Sequence, residues 1–275
     1  MMPDFSEEIE VASKLALQAG KAILQVYEQD FSISYKNPND PVTDADHQAN
    51  SIIVEGLQDM FPQDTVVAEE SPLPKSSTFS ERVWYVDPLD GTKEFIGKNG
   101  EFSIMIGLTV DGTSQCGVVF WPTKGQLFLG ISGQTAWKEE NGNRELLTAA
   151  HAQDLNNLSL VASRSHRSSA LDHIKRTLNI HREQRMGSVG LKIACIAQGR
   201  ADFYTEPGPY TRSWDACAPE AILRGAGGKF TDVHGNPIQY GAHDFRNIHG
   251  IVATAEDCHD RVIKAVESLC SCHKS

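Results

Sequence analysis

Apolar residues near the start of the chain recur at helical spacing. Ile9, Ala12, Ala16, Ala19, Ile23, Val26 and Tyr27 share one face and predict a long first helix over about residues 6–28. After "DPVT", the residues Ala49, Ile52, Ile53, Gly56, Leu57 and Met60 predict a second helix that Pro62 ends. "TVVA" before Glu69 and "VWYV" before Asp87 are short apolar runs and read as buried strands. From Phe102 to Leu147 the pattern becomes short apolar runs separated by "DG", "PTKG" and "NGN", as in hairpins of an antiparallel sheet. Beyond about residue 155, strands and helices alternate. "LSLVAS", "ADFYTE" and "GIVATA" read as strands; residues 168–178, "LKIACIAQG", "DACAPEAILRGAGG" and the C-terminal end read as helices. Alternation of this kind predicts a parallel or mixed sheet. No repeat, low-complexity tract or long linker interrupts the pattern. The expected organisation is an α+β half over residues 1–154 and an α/β half over residues 155–275, packed as one unit.

At 275 residues the chain can bury a large core, and its 40 % hydrophobic and 22 % charged residues are those of a globular protein. The first twenty residues are acidic and amphipathic, unlike a secretory signal, and no apolar run approaches the roughly 20 residues of a membrane helix. The six cysteines show no CxxC pair and no metal-finger spacing, which points to a reduced cytoplasmic setting. The expected location is the cytoplasm, free or peripheral on the inner face of the membrane. A formal net charge of −11 argues against polyanionic partners such as nucleic-acid polymers. A small anionic substrate is compatible with that charge if cations in the site reverse the local sign.

The chemistry concentrates in "VDPLDGTKEF", where Asp87, Asp90 and Glu94 follow a buried strand. Carboxylates gathered at such a point repel one another and resist desolvation unless something positive sits among them. Pro88 and Gly91 exclude a helix, but a turn can converge both aspartates and the Leu89 carbonyl on one point. An oxygen-only set of this kind suits a hard cation such as Mg²⁺. Taken alone, "DPxDG" is equally a surface Asx-turn. "VVAEES" places Glu69 and Glu70 at another strand end, where they could be a solvated pair. "SWDACAPEAIL" places Asp215 at a helix start, where it could be an N-cap. "GTKEFIGKN" resembles a phosphate loop but has the wrong glycine spacing and no Ser or Thr after its lysine.

"DPVTDAD", "EES", "VDPLDGTKEFI" and "WDACAPEAIL" stand in the order and spacing of the inositol monophosphatase-like, lithium-sensitive phosphatase superfamily, which the chain resembles over nearly its whole length. Within it, "DGTKEFIGKNGEFSI" and "SRSH" resemble the 3′(2′),5′-bisphosphate nucleotidase branch; inositol monophosphatases tend to follow DGT with a Thr-Asn-Phe segment. The resemblance implies a layered α/β/α/β/α sandwich of the inositol monophosphatase/fructose-bisphosphatase type. It implies two or three Mg²⁺ ions held by Glu69, Asp87, Asp90, Asp215 and the Leu89 carbonyl. Asp46 and Thr92 match the pair that orients and deprotonates the attacking water, and the Gly91 and Thr92 amides match groups that hold the scissile phosphate. The same metal-site residues would also touch the substrate.

From the residues alone, Asp46 equally completes a capping box with Thr43. Lys36 matches a lysine often found near the metals and is otherwise a surface residue. Arg164, His166, Ser188 and Lys192 are the expected nucleotide contacts. Several nucleotidases, however, carry two serines just before this lysine, where this chain has "SVGLK". The implied activity is removal of the 3′-phosphate of adenosine 3′,5′-bisphosphate, giving AMP, with the 5′-phosphosulfate analogue as a second substrate. The rivals are an inositol or broad sugar phosphatase on the same scaffold, and a non-catalytic metal-binding regulator. Lys93–Glu94 argues against the first, and retention of Asp46 and Thr92 argues against the second.

Overall fold

The computed structural model describes residues 4–37, 40–72, 80–149, 151–152, 155–165, 169–241 and 244–272. Helices α1 (Ser6–Tyr27) and α2 (Asp44–Met60) form where the helical stripe predicts them. They bury Ile9, Ala12, Ala16, Ile23, Ala49, Ile53 and Leu57 against one face of a seven-stranded sheet. That sheet runs in chain order: β3 (Thr65–Ala68), β4 (Arg82–Asp90), β5 (Ser103–Val110), β6 (Thr113–Trp121), β7 (Gln126–Ile131), β8 (Thr135–Glu140) and β9 (Asn143–Leu146). All neighbours are antiparallel except β3 and β4, which are parallel. The hairpin pattern read between Phe102 and Leu147 is therefore the pattern observed.

A second, five-stranded sheet has the order β11 (Arg182–Met186), β10 (Ser159–Ser163), β12 (Phe203–Glu206), β14 (Ile251–Thr254), β13 (Lys229–Thr231). It is mixed: β10 is parallel to β11 and β12, whereas β14 is antiparallel to β12 and β13. Helices α5 (Val189–Ala197) and α6 (Ser213–Gly225) lie between the two sheets. Helices α4 (Ser169–Thr177) and α7 (His259–Cys272) cover the outer face of the second sheet. The layers are thus α/β/α/β/α, as expected. The antiparallel pair β1 (Ile33–Asn37) and β2 (Asp40–Thr43) precedes α2, and the five-residue helix α3 (Thr92–Ile96) follows β4.

Four strands, β1, β2, β11 and β13, escaped the hydrophobic pattern for physical reasons. In β11, "REQRM" is an edge strand with one neighbour and needs no apolar alternation. The strand β13 is three residues long, and β1 and β2 pair only with each other, in a two-stranded hairpin.

The central helix α6 lies directly on backbone. Gly107, Gly117 and Gly130 are register partners across β5, β6 and β7. A Cβ built on each would lie 2.5 Å from Ala218 N, 2.5 Å from Ala218 Cα and 2.4 Å from Ile222 Cα, respectively. This glycine stripe lets α6 sit closer to the sheet than any side chain would allow. It thereby fixes where the start of that helix, with Asp215, stands relative to β4.

Candidate active site

Residues three apart in a regular strand point to opposite faces, so Asp87 and Asp90 would be separated if β4 were regular. It is not. Asp87 pairs with Met105 and Asp90 with Ser103, so three steps on β4 oppose two on β5, which is a β-bulge. The extra residue returns Asp90 to the side of Asp87. Pro88, which has no N–H to donate, falls within the bulge. The turn expected at this place is therefore a bulged continuation of the strand. Inside it, the Leu89 N–H donates to Asp87 Oδ1 at 3.0 Å. Gly91 follows with φ +99°, in the left-handed region, and opens α3.

Because β3 and β4 are parallel, both bring their acidic ends to the same edge. The Glu69 N–H donates to the Val86 carbonyl at 3.0 Å, beside Asp87. From the other direction α6 delivers Asp215, which accepts the Arg212 N–H at 2.6 Å and shares a side-chain hydrogen bond with Asp87. Burial pushes Asp87 and Asp215 well above the usual carboxylate range. The charges of Glu69 and Asp90 push both in the same direction. The structure therefore brings Glu69, Asp87, Asp90 and Asp215 within electrostatic reach of one another.

Among the described residues, no three His, Cys, Asp or Glu side chains already close round a single point. The donor set is nevertheless all oxygen, with buried carboxylates that destabilise one another and the Leu89 carbonyl alongside. That chemistry fits a hard divalent cation. Lys36 supplies positive charge at the rim, 2.9 Å from Glu69 Oε1 and also paired with Glu70. Burial opposes its protonation, but the two glutamates outweigh burial and raise its pKa.

Asp46 divides its work between its two oxygens. Oδ2 accepts the Thr43 N–H at 2.8 Å and the Thr43 hydroxyl at 2.6 Å, which is the capping box of α2. Oδ1 is left for Thr92, whose hydroxyl lies 3.3 Å away and also 3.3 Å from the Leu89 carbonyl. The cap of α2 and the expected partner of Thr92 are thus one side chain. Burial raises the Asp46 pKa, opposed by the Thr43 bonds.

The residues expected on the substrate side differ in their placement. Lys192 is 3 % exposed, with Nζ 3.5 Å from the Gly187 carbonyl and over the Tyr204 ring at 5.2 Å. Burial lowers its pKa, while Asp90, Glu94, Glu206 and Asp215 act to raise it, so its charge faces the acidic cluster. The Ser188 hydroxyl is 2.6 Å from Asp90 Oδ2 and 2.8 Å from Ser103 Oγ, and it accepts the Leu191 N–H at 3.1 Å as the cap of α5. Arg164 is bound to Glu101 by two 2.6 Å bonds. His166 lies outside the described residues. The sequence reading missed Glu101, and it left Glu94 without a structural partner. Glu94 accepts from Ser165, and Glu101 engages Arg164 and the Gly187 N–H. These are contacts between residues 63 to 86 positions apart, and no local pattern announces them.

The layered fold has known counterparts. A model of the inositol monophosphatase family matches residues 4–271, and the chain belongs to that family. More particularly, it is 38 % identical over 230 residues to the 3′(2′),5′-bisphosphate nucleotidase CysQ of Escherichia coli K12, covering 82 % of this chain and 91 % of that protein. Among solved structures, CysQ of Bacteroides thetaiotaomicron superposes with TM-score 0.77 at 30 % identity, covering 92 % of this chain and 98 % of that one. An inositol monophosphatase from Anabaena superposes with TM-score 0.78 at 27 % identity over 97 % of each chain. Among the described residues, no helix is long and apolar enough to cross a membrane.

Proposed function

We propose that this protein is a cytoplasmic 3′(2′),5′-bisphosphate nucleotidase that hydrolyses the 3′-phosphate of adenosine 3′,5′-bisphosphate to AMP and phosphate. It would act on the 5′-phosphosulfate analogue as well. Glu69, Asp87, Asp90, Asp215 and the Leu89 carbonyl would hold two or three Mg²⁺ ions. When bound, these supply charge neutralisation at the phosphoryl and leaving oxygens and lower the pKa of a water. The observation that carries the reading is the Thr92 hydroxyl, 3.3 Å from Asp46 Oδ1 at the edge of the acidic cluster. A protein that only stores or senses metal has no use for that pair.

Thr92 has one hydroxyl proton. Directed at Asp46 Oδ1, it leaves the lone pairs of Oγ free to accept a proton from the attacking water. Asp46 can take the Thr92 proton because Oδ2 is anchored by Thr43 and Oδ1 is not. The raised Asp46 pKa makes it a better acceptor than an exposed aspartate. The N–H groups of Gly91 and Thr92, at the start of α3, are the expected contacts to the oxygens of the scissile phosphate. Water then attacks phosphorus in line with the departing 3′-oxygen. Lys192 on α5, with Ser188 capping that helix, brings positive charge from the second half toward the phosphate that is not cleaved.

A phosphate-release assay across adenosine 3′,5′-bisphosphate, inositol 1-phosphate and fructose 1,6-bisphosphate tests the reading. The adenosine bisphosphate should be preferred over 3′-AMP by about ten-fold or more in kcat/KM, the worth of one charge-assisted phosphate contact. Preference for inositol 1-phosphate would replace the nucleotidase reading with an inositol phosphatase. No turnover of any ester with Mg²⁺ would leave the regulatory rival.

A further inference from the structure

Arg164 leaves the end of β10, yet its guanidinium is committed within the molecule. Nε donates to Glu101 Oε2 and Nη2 to Glu101 Oε1, both at 2.6 Å, and Nη2 also reaches the Arg185 carbonyl at 3.0 Å. Glu101 Oε2 accepts the Gly187 N–H at 2.8 Å as well. Beside this pair the Ser165 hydroxyl donates to Glu94. Two carboxylates from residues 94–101 of the first half therefore grip the ends of β10 and β11 in the second.

The gripped turn is itself unusual. Ser188 has φ +47° and ψ 133°, a backbone region that residues with a Cβ rarely adopt and that persists only when its surroundings enforce it. A Cβ on the preceding Gly187 would lie 2.4 Å from the Glu101 carbonyl oxygen and 2.5 Å from Glu94 Cγ, so the turn is pressed against both glutamates. From this turn the Ser188 hydroxyl and the Gly190 N–H both donate to Asp90 Oδ2, at 2.6 and 3.2 Å. A continuous path runs from Arg164 through Glu101, Gly187 and Ser188 to Asp90.

We propose that Glu101 and Arg164 form a clasp between the two halves that positions the Ser188 turn, and through it Asp90, for phosphoryl transfer. Both are positioning residues, and the proposal rests on the reading above for its choice of substrate. An ion pair as exposed as this one (40 % and 18 %) adds little to stability. Its effect falls on geometry, and a misplacement of about 1 Å can cost on the order of a hundred-fold in rate.

The test compares Glu101→Gln, Arg164→Ala, Arg164→Lys and the Glu101→Gln/Arg164→Ala double variant. Readouts are kcat and KM for adenosine 3′,5′-bisphosphate, and amide hydrogen exchange over residues 187–190. The clasp predicts that each single variant loses roughly ten- to a hundred-fold in kcat with KM nearly unchanged. The double variant should be no worse than the poorer single, and exchange should quicken in all. Arg164→Lys should recover only part of kcat, because an ammonium cannot make the paired bonds.

If Arg164 instead binds substrate, Arg164→Ala raises KM for the bisphosphate. Glu101→Gln, by freeing the guanidinium, then leaves KM equal or lower. That result overturns the clasp, as does wild-type kcat in both single variants. Should the wild type prefer another phosphate ester, the nucleotidase reading falls and the same variants are judged on that ester. Should it hydrolyse none, unchanged exchange at residues 187–190 overturns the clasp and faster exchange supports it.

Discussion

Replacing Gly117 by alanine adds a single methyl group where α6 meets the sheet. The new Cβ would stand 2.5 Å from Ala218 Cα and 2.6 Å from its carbonyl oxygen. Ordinary carbon contacts lie at about 3.5–4.0 Å, so roughly 1 Å of separation must be found. Both obstructing atoms are backbone, and the neighbouring contacts at Gly107 and Gly130 press the same helix. The helix must therefore lift as a body or bend. Overpacking of this kind costs about 1–3 kcal/mol. Against it stands a gain of about 0.5–1 kcal/mol from removing a flexible glycine. The clash wins, with a net loss of about 1–2 kcal/mol, or a Tm lower by about 3–6 °C in a chain of this size.

The larger consequence is functional, because Asp215 lies three residues before Ala218 on α6. Moving it by a substantial part of 1 Å relative to Asp87 should reduce kcat by about ten- to a hundred-fold. Gly133→Ala is the control. Gly133 has nothing within 4 Å but holds φ +67°, so alanine there costs comparable stability through backbone strain, in the β7–β8 turn at the end of the sheet opposite Asp90. Thermal melts and phosphate release at saturating Mg²⁺ should show similar Tm losses in the two variants and a fall in kcat only for Gly117→Ala. Unchanged Tm and kcat in Gly117→Ala, or equal kcat in the two variants, would refute the reasoning.

On the proposed role of its hydroxyl in activating the water, Thr92→Ala should lower kcat by about 10²–10⁴-fold while shifting the Mg²⁺ concentration for half-activity little; a large Mg²⁺ shift at unchanged saturated rate would contradict this. Asp90→Asn should fold but weaken Mg²⁺ dependence and turnover by orders of magnitude, and near-normal Mg²⁺ activity would remove Asp90 from the ligand set. Ca²⁺ should block turnover, because it prefers more ligands at longer distances than Mg²⁺; brisk activity with Ca²⁺ alone would sink the assignment. Burial raises Glu220 to about 7, opposed by hydrogen bonds from Tyr240 (2.7 Å) and Arg224 (3.1 Å). Its folded pKa lies above the unfolded one, so its contribution is fully present below about pH 4.5 and lost as pH rises through 7. Denaturant melts should show wild type losing on the order of 3 kcal/mol more than Glu220→Gln between pH 4.5 and 8, and parallel pH profiles would rule this out.

The local pattern of the chain already determined most elements and picked out the acidic motifs of the candidate site. Helical spacing marks α1 and α2, turn residues mark the hairpins of β5 to β9, and Thr43 with Asp46 marks the cap of α2, because each depends on residues a few positions apart. The acidic motifs were legible for the same reason: charge, proline and glycine beside buried strands are local features. Only the tertiary structure decided how they meet. The β4 bulge that returns Asp90 to the side of Asp87 depends on pairing with β5. The approach of Asp215 depends on a glycine stripe drawn from three strands. The engagement of Arg164 by Glu101, 63 residues away, depends on how the two halves pack. A sequence encodes such contacts only through the shapes of surfaces that do not exist until the layers have assembled, whereas a helix stripe or a cap is complete within its own few residues.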